Sequence, residues 1–223
     1  MEHWEAHFRF YDKFQMAYSK YCAMLDFHRN ALKECYSVLD SGAGTGNLTL
    51  KLLEDGHKVV AVDCNRNALD SLRQKCLKYQ TQLKIQEVDL KAELPFSENY
   101  FDGVASSFVI PFVRNIRSYI SENYRVLRKG GILSISIPLS IKGVMNYVMG
   151  NLEKEAESKG LLPEYKTEWE KLWVTSRKNE KMIMENGLPE TEIIKILEDV
   201  GFSVNKSKNK PYDNYVSLLT CVK

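Results

Sequence analysis

At 223 residues, with 44% apolar and 27% charged side chains, the chain has the size of one globular domain with a sizeable core. A net charge of +2 leaves no electrostatic footprint for a nucleic-acid binder, and the longest apolar run, Phe108 to Val113, is broken by Pro111 and too short to span a bilayer. The five cysteines (Cys22, Cys35, Cys64, Cys76, Cys221) include no CxxC pair, which argues against a zinc ribbon or disulfide scaffold and for reduced thiols in a cytoplasm.

The opening MEHWEAHFRF lacks the basic and apolar regions of a signal peptide. His3 and His7 are four apart, but no carboxylate or cysteine cluster completes a metal site, so no metal is expected. Trp4, Phe8, Tyr11, Tyr18, Tyr21 and Leu25 recur at three- and four-residue steps. That spacing predicts an amphipathic stripe, in one helix or two, that packs on the main domain or closes over a pocket as a lid.

From Ser37 the pattern becomes regular. SVLDSG reads as a strand, residues 46–55 as a helix, HKVVAVD as a strand, and NRNALDSLRQKCLKYQ as a helix capped by Asn65. LKIQEVDL and FDGVASSF read as further strands, VRNIRSYISENYRVLRK as a helix ended by Gly130-Gly131, and ILSISIP as a fifth strand. Residues 139–188 break the rhythm with one or two helices rich in Met, Tyr and Trp. TEIIKILEDVGFSV is then a helix turning into a strand, and SLLTCV a last strand. Strands alternating with helices predict an α/β fold with a mostly parallel sheet covered on both faces.

Residues 40–47, DSGAGTGN, follow the first strand. Glycines there let a backbone approach a ligand in the crevice at the strand ends. The spacing is GxGxG rather than the dinucleotide GxGxxG, and no Lys-Ser or Lys-Thr follows to make a phosphate cradle. Asp40 would repel a pyrophosphate and favour a cation. Asp63 and Asp89 end the next two strands, Asp63 placed for two ribose hydroxyls, Asp89 and Leu90 beside a base. One such Asp is commonly a turn residue. Three at successive strand ends, with the glycine loop, point to a site for a cation-bearing nucleoside.

VLDSGAGTGNLTLKL, VVAVDCN, VDLKAELPFSENYFDGVASSFV and VLRKGGILSISIP resemble the class I S-adenosylmethionine-dependent methyltransferases of the small-molecule branch, and ILEDVGF resembles a later step of the same fold. The resemblance implies a Rossmann-like seven-stranded sheet with an α-helical cap. It divides the chain into a lid (1–35), a cofactor-binding core (36–138 and 188–223) and a helical insertion (139–187) that caps the acceptor. It implies S-adenosylmethionine as cofactor and S-adenosylhomocysteine as product. Asp40, Gly42, Ala43, Gly44 and the 45–47 turn with Asn47 would lie along the methionine end. Asp63 would hold the ribose with Cys64 alongside, Asp89 and Leu90 would flank the adenine, and Ser106, Ser107 and Phe108 would face the methionine. Tyr11 resembles a tyrosine that relatives place over that end, and Asp102 resembles a structural acid.

No catalytic residue is identified. Pro111-Phe112 stands where relatives carry a polar pair after the fourth strand, which makes the pocket mouth apolar; His7, His28, Tyr18, Tyr21 and Tyr165 qualify as bases by chemistry alone. The expected partner is a small, partly apolar acceptor, with neither nucleic acid nor membrane, on a monomer or homodimer in the cytoplasm. The alternatives are a non-catalytic S-adenosylmethionine-binding partner subunit and an RNA or protein methyltransferase. An NAD-dependent reductase is disfavoured by the GxGxG spacing and the lack of a Tyr-x-x-x-Lys pair.

Overall fold

The computed structural model describes residues 2–162, 164–208 and 210–223, with side chains from Phe10 onward; Trp4, Phe8, His3 and His7 fall outside the described side chains. Seven strands form one sheet: β1 (Ser37–Ser41), β2 (Lys58–Asp63), β3 (Leu83–Glu87), β4 (Phe101–Ser107), β5 (Leu127–Pro138), β6 (Ser203–Lys206) and β7 (Val216–Val222). Their order is β3-β2-β1-β4-β5-β7-β6. Pairing is parallel from β3 to β5, and β7 is antiparallel to both β5 and β6. The chain leaves β1 for β2 on one side and returns to β4 on the other. A crevice therefore opens beyond the carboxyl ends of β1 and β4, where such sheets bind ligands.

Two apolar layers cover the sheet. On one face, Val38, Val59, Ala61 and Ala105 meet α2 (Ser19–Leu32), α3 (Asn47–Glu54) and α4 (Arg66–Lys75). On the other, Leu39, Val62, Val104 and Leu133 meet α5 (Ile116–Val126) and α8 (Glu190–Val200). The alternation Val38/Leu39 and Val104/Ala105 is the two-residue period of a strand buried on both faces. Asn65 caps α4, its side chain accepting from the amides of Asn67 and Ala68. Asp102 accepts from the Tyr36 and Ser37 amides and pairs with Arg128 at 2.8 Å, tying the approach to β1 to the neighbouring strands.

The aromatic stripe of the first 35 residues forms two helices, α1 (Glu2–Ala17) and α2, broken at the extended Tyr18. The insertion forms α6 (Val144–Ser158) and α7 (Lys166–Asn186). α1 packs across both: Phe10 meets Tyr165 at 4.8 Å between ring centroids, and Phe14 meets Trp169 at 5.3 Å. Glu155 of α6 accepts from the Ser19 amide and hydroxyl at 2.8 and 2.7 Å, which anchors the α1–α2 break.

Three expected boundaries move. β3 stops at Glu87, so Asp89 and Leu90 lie in the loop beyond it. The helix expected to run to Gly130-Gly131 ends at Val126, and Leu127 already pairs with Phe101. Gly130, at φ 74°, sits inside an irregular stretch of β5 rather than after a helix. A short 3-10 turn, Ile110–Phe112, occupies the apolar run after β4.

Candidate active site

The glycine loop is held open by its own backbone. The Gly42 and Ala43 amides both donate to the Val62 carbonyl at 2.9 Å, which curls the loop back over β2. Gly42 has φ 89°, and a Cβ there would meet Val109 Cγ2 at 2.4 Å, so both conformation and space require glycine. Gly44, at φ 52°, has no atom within 4 Å of where a Cβ would stand; a side chain there would enter the crevice itself. Its amide donates to Asp63 Oδ2 at 2.9 Å, and the Asn65 amide donates to Asp63 Oδ1 at 2.8 Å. Asp63 thus fastens the loop to the end of β2.

A cavity follows, lined by Tyr11, Tyr21, Asp40, Gly42, Ala43, Gly44, Asn47, Asp63, Cys64, Asp89, Leu90 and Ser107 among others. Most of the residues that the sequence singles out for the cofactor therefore border one space. Ser106 does not. Adjacent strand residues face opposite ways. Ser107 turns toward Met24 of α2, whereas Ser106 is buried on the α5 face, 2.8 Å from the Tyr119 hydroxyl. The Tyr119 hydroxyl also lies 3.0 Å from Ser41 Oγ, so Ser106 belongs to a buried hydroxyl cluster behind the sheet.

Asp40 is 1% exposed and accepts from the Thr49 hydroxyl at 2.6 Å. Burial pushes its carboxyl up to about 7, the Thr49 bond opposing and the Asp63 charge adding to the rise. A buried carboxyl raised in this way is one that a neighbouring cation would ionise. Asp89 Oδ1 accepts from the Lys91 amide at 3.0 Å at the opposite end of the cavity. Burial also pushes the Tyr11 phenol up to about 12 and raises that of Tyr21, so both rings are neutral walls.

Asp12 was not singled out in the sequence, yet it ties α1 to the loop. It accepts from the Thr45 hydroxyl at 2.5 Å and the Asn47 amide at 3.1 Å, and pairs with Lys75 Nζ of α4 at 2.6 Å. Asn47 Nδ2 also reaches the Tyr21 hydroxyl at 3.3 Å. An acid beside an aromatic stripe reads as a solvent-facing residue, and only the fold reveals its partners.

A second cavity, bounded by α1, α6, α7 and the end of β5, adjoins the first. Tyr11, Phe108 and Phe112 line both. Phe108 reaches this place from a left-handed backbone at φ 59°, uncommon for a bulky residue, with its ring edge-on to Tyr212. The remaining walls include Phe14, Gln15, Val144, Met149, Leu172 and Asn179. Of the residues with basic chemistry, His28 is fully buried against Ser134 and lines neither cavity, and the Tyr165 hydroxyl accepts from Lys13 at the surface.

Residues 39–135 match a family model described as a methyltransferase domain. That span is a methyltransferase domain. The chain is similar to the demethylmenaquinone methyltransferase of Tropheryma whipplei (strain Twist), 30% identical over 139 residues that are 59% of this chain and 57% of that one. It is 32% identical over 154 residues to the mitochondrial ubiquinone biosynthesis O-methyltransferase of Rattus norvegicus, covering 68% of this chain and 44% of the relative. The chain thus spans about half the length of these curated relatives. A solved SAM-dependent methyltransferase from Thermotoga maritima shares the fold at a TM-score of 0.63 and 17% identity, over 98% of this chain and 97% of that one. The methyltransferase domain contains the glycine loop, Asp63, Asp89 and β4, whereas α1, α6 and α7 lie outside the matched span.

The first cavity fits S-adenosylmethionine by its chemistry. Carboxylates at the ends of three strands suit an ammonium, a sulfonium and a ribose; Gly44 leaves room for the methionine chain; Leu90 offers an apolar face to a base.

Proposed function

We propose that this protein transfers a methyl group from S-adenosylmethionine to a small, partly apolar acceptor held under α1, α6 and α7. The observation that carries the reading is the junction of the two cavities at Tyr11, Phe108 and Phe112. One space has the polar groups for a charged nucleoside, and the other is apolar and closed by the residues outside the matched domain.

The cofactor supplies an electrophilic methyl carbon on a sulfonium that leaves as a neutral thioether. Asp40 and Asp63 hold the charged end and the ribose, and Asp89 and Leu90 hold the base. Tyr11, Phe108 and Phe112 exclude water where the cavities meet and align the acceptor for in-line attack. Among the described residues lining the second cavity none is an Asp, Glu or His, and these walls contribute alignment and desolvation. Residues 1–35 and 139–187 act together as the cap that selects the acceptor.

Calorimetry with S-adenosylmethionine, S-adenosylhomocysteine and NAD, followed by labelled-methyl transfer into fractionated cell extract, tests the proposal. Binding of the first two without NAD, and label in small organic species, is the expected result. Tight NAD binding alone would overturn it. Label confined to RNA or protein would favour a macromolecular acceptor, and cofactor binding with no transfer a non-catalytic subunit.

A further inference from the structure

We infer that the acceptor is uncharged when bound, and that the carboxamides of Gln15 and Asn179 recognise its polar group. The inference rests on the methyl-transfer reading and narrows the acceptor to one chemical class.

The second cavity encloses about 150 Å³, against roughly 10–15 Å³ for one water, which is space for a bicyclic organic molecule. Among the described residues, none that lines it carries a formal charge at neutral pH. Three charges on the surrounding helices are engaged away from it: Lys13 donates to Tyr165, Glu155 accepts from Ser19, and Glu180 accepts from the Gly143 amide. A carboxylate, phosphate or ammonium entering this space would lose its hydration and meet no counter-charge, at a cost that apolar contacts do not offset. The tyrosines in the wall do not help, because burial raises the phenols of Tyr11, Tyr18 and Tyr212 and keeps them neutral.

Polar groups in the wall are of three kinds: tyrosine hydroxyls, of which that of Tyr18 is buried without a partner among the described residues, hydroxyls bonded to their own helix, and carboxamides. Thr175 and Ser176 donate to the Lys171 and Trp173 carbonyls of their own helix, at 3.0 and 2.8 Å. The side chains of Gln15 on α1 and Asn179 on α7 make no hydrogen bond or ion pair among the described residues. Each presents one acceptor and two donor hydrogens to a largely apolar space. Together they can hold a hydroxyl, a carbonyl or a neutral amide, none of which needs a charge partner. Because they sit on different helices, a ligand that engages both also bridges the lid to the insertion.

The test titrates S-adenosylhomocysteine-loaded protein at pH 7 with three probes of one bulk: 2-naphthol, 2-naphthoate and 2-naphthylmethylammonium. Naphthol should bind at least about tenfold tighter than either ion. The double variant Gln15→Leu/Asn179→Leu should weaken naphthol by roughly three- to tenfold and leave S-adenosylhomocysteine affinity unchanged. Asn179→Asp, which puts a carboxylate into the same wall, should shift preference toward the cation and gives a readout if the double variant fails to fold. Equal or tighter binding of either ion, no naphthol binding up to its solubility, or unchanged naphthol affinity in a folded double variant overturns the inference. A protein that binds no S-adenosylhomocysteine overturns the methyl-transfer reading instead, and the inference falls with it.

Discussion

Asp40 shows how a single buried carboxyl can report on the ligand beside it. With its carboxyl pushed up to about 7, it is largely protonated at pH 6.5 in the free protein. A sulfonium or ammonium placed next to it favours the ionised form, so cofactor binding should release roughly three-quarters of a proton at that pH. Affinity should rise as pH increases toward 7 and level off above it. Calorimetry in buffers of different ionisation enthalpy measures the release, and Asp40→Asn should abolish it while weakening binding. A binding heat that is the same in all buffers would mean that Asp40 does not sense the ligand's charge. At this scale most residues that the sequence singles out border one cavity, because motif spacing maps directly onto strand ends. The sequence misplaced Ser106, although the two-residue period of a strand already separates Ser106 from Ser107. It named Thr45 as part of the 45–47 turn but not the bond of its hydroxyl to Asp12, because loop side chains follow partners that are distant in the chain.

Among the elements, α1 is the one whose role depends most on tertiary contacts. Its links to the glycine loop run through Asp12, half-buried with Lys75, and its aromatic face is clasped by α6 and α7. Asp12→Asn keeps the helix but removes the charge that holds Thr45, Asn47 and Lys75 together. A hydrogen bond to a charged group contributes about 1.5–3 kcal/mol. The variant should therefore bind cofactor roughly tenfold or more weakly, and its residue 10–17 amides should exchange faster while the sheet is unchanged. Exchange mass spectrometry with and without cofactor checks both; unchanged α1 protection would show that Asp12 does not hold the lid. Deleting residues 1–20 would be a poorer test of the lid, because Phe14 and Tyr18 are part of the core. The strand–helix alternation was legible from periodicity, and so was the order of elements. The α5–β5 boundary was not: a Gly-Gly after a helical pattern looks like a helix stop, yet the glycines relieve an irregular stretch of strand that also meets Lys223.

For the molecule as a whole, two buried groups set opposing pH dependences. Burial lowers His28 to about 3 from an ordinary value near 6.5, despite its bond to Ser134, and its Nε2 has no partner. A depressed histidine contributes stability in full above pH 6.5 and loses it as pH falls toward 3. Asp40, raised from 3.8, contributes in full below pH 4 and loses its share as pH rises through 7. Between pH 6.5 and 4 the two nearly cancel, each changing by about 3 kcal/mol at most. Urea unfolding without ligand should therefore show His28→Gln gaining stability on acidification, relative to the parent, and Asp40→Asn losing it. Profiles parallel to the parent would assign the pH response to other groups.

The contact between Lys13 and Tyr165 has a consequence for how the chain is made. These partners are 152 residues apart. At about 5–20 residues per second, roughly eight to thirty seconds of synthesis separate them. During that interval the aromatic face of α1 has no insertion to pack on, while the core strands and α2–α5 are already emerging. α1 can pack only after β5 and both insertion helices have been translated, so the cavity between α1, α6 and α7 forms late in the nascent protein, and a ribosome stalled near residue 140 would present that bare aromatic face to chaperones.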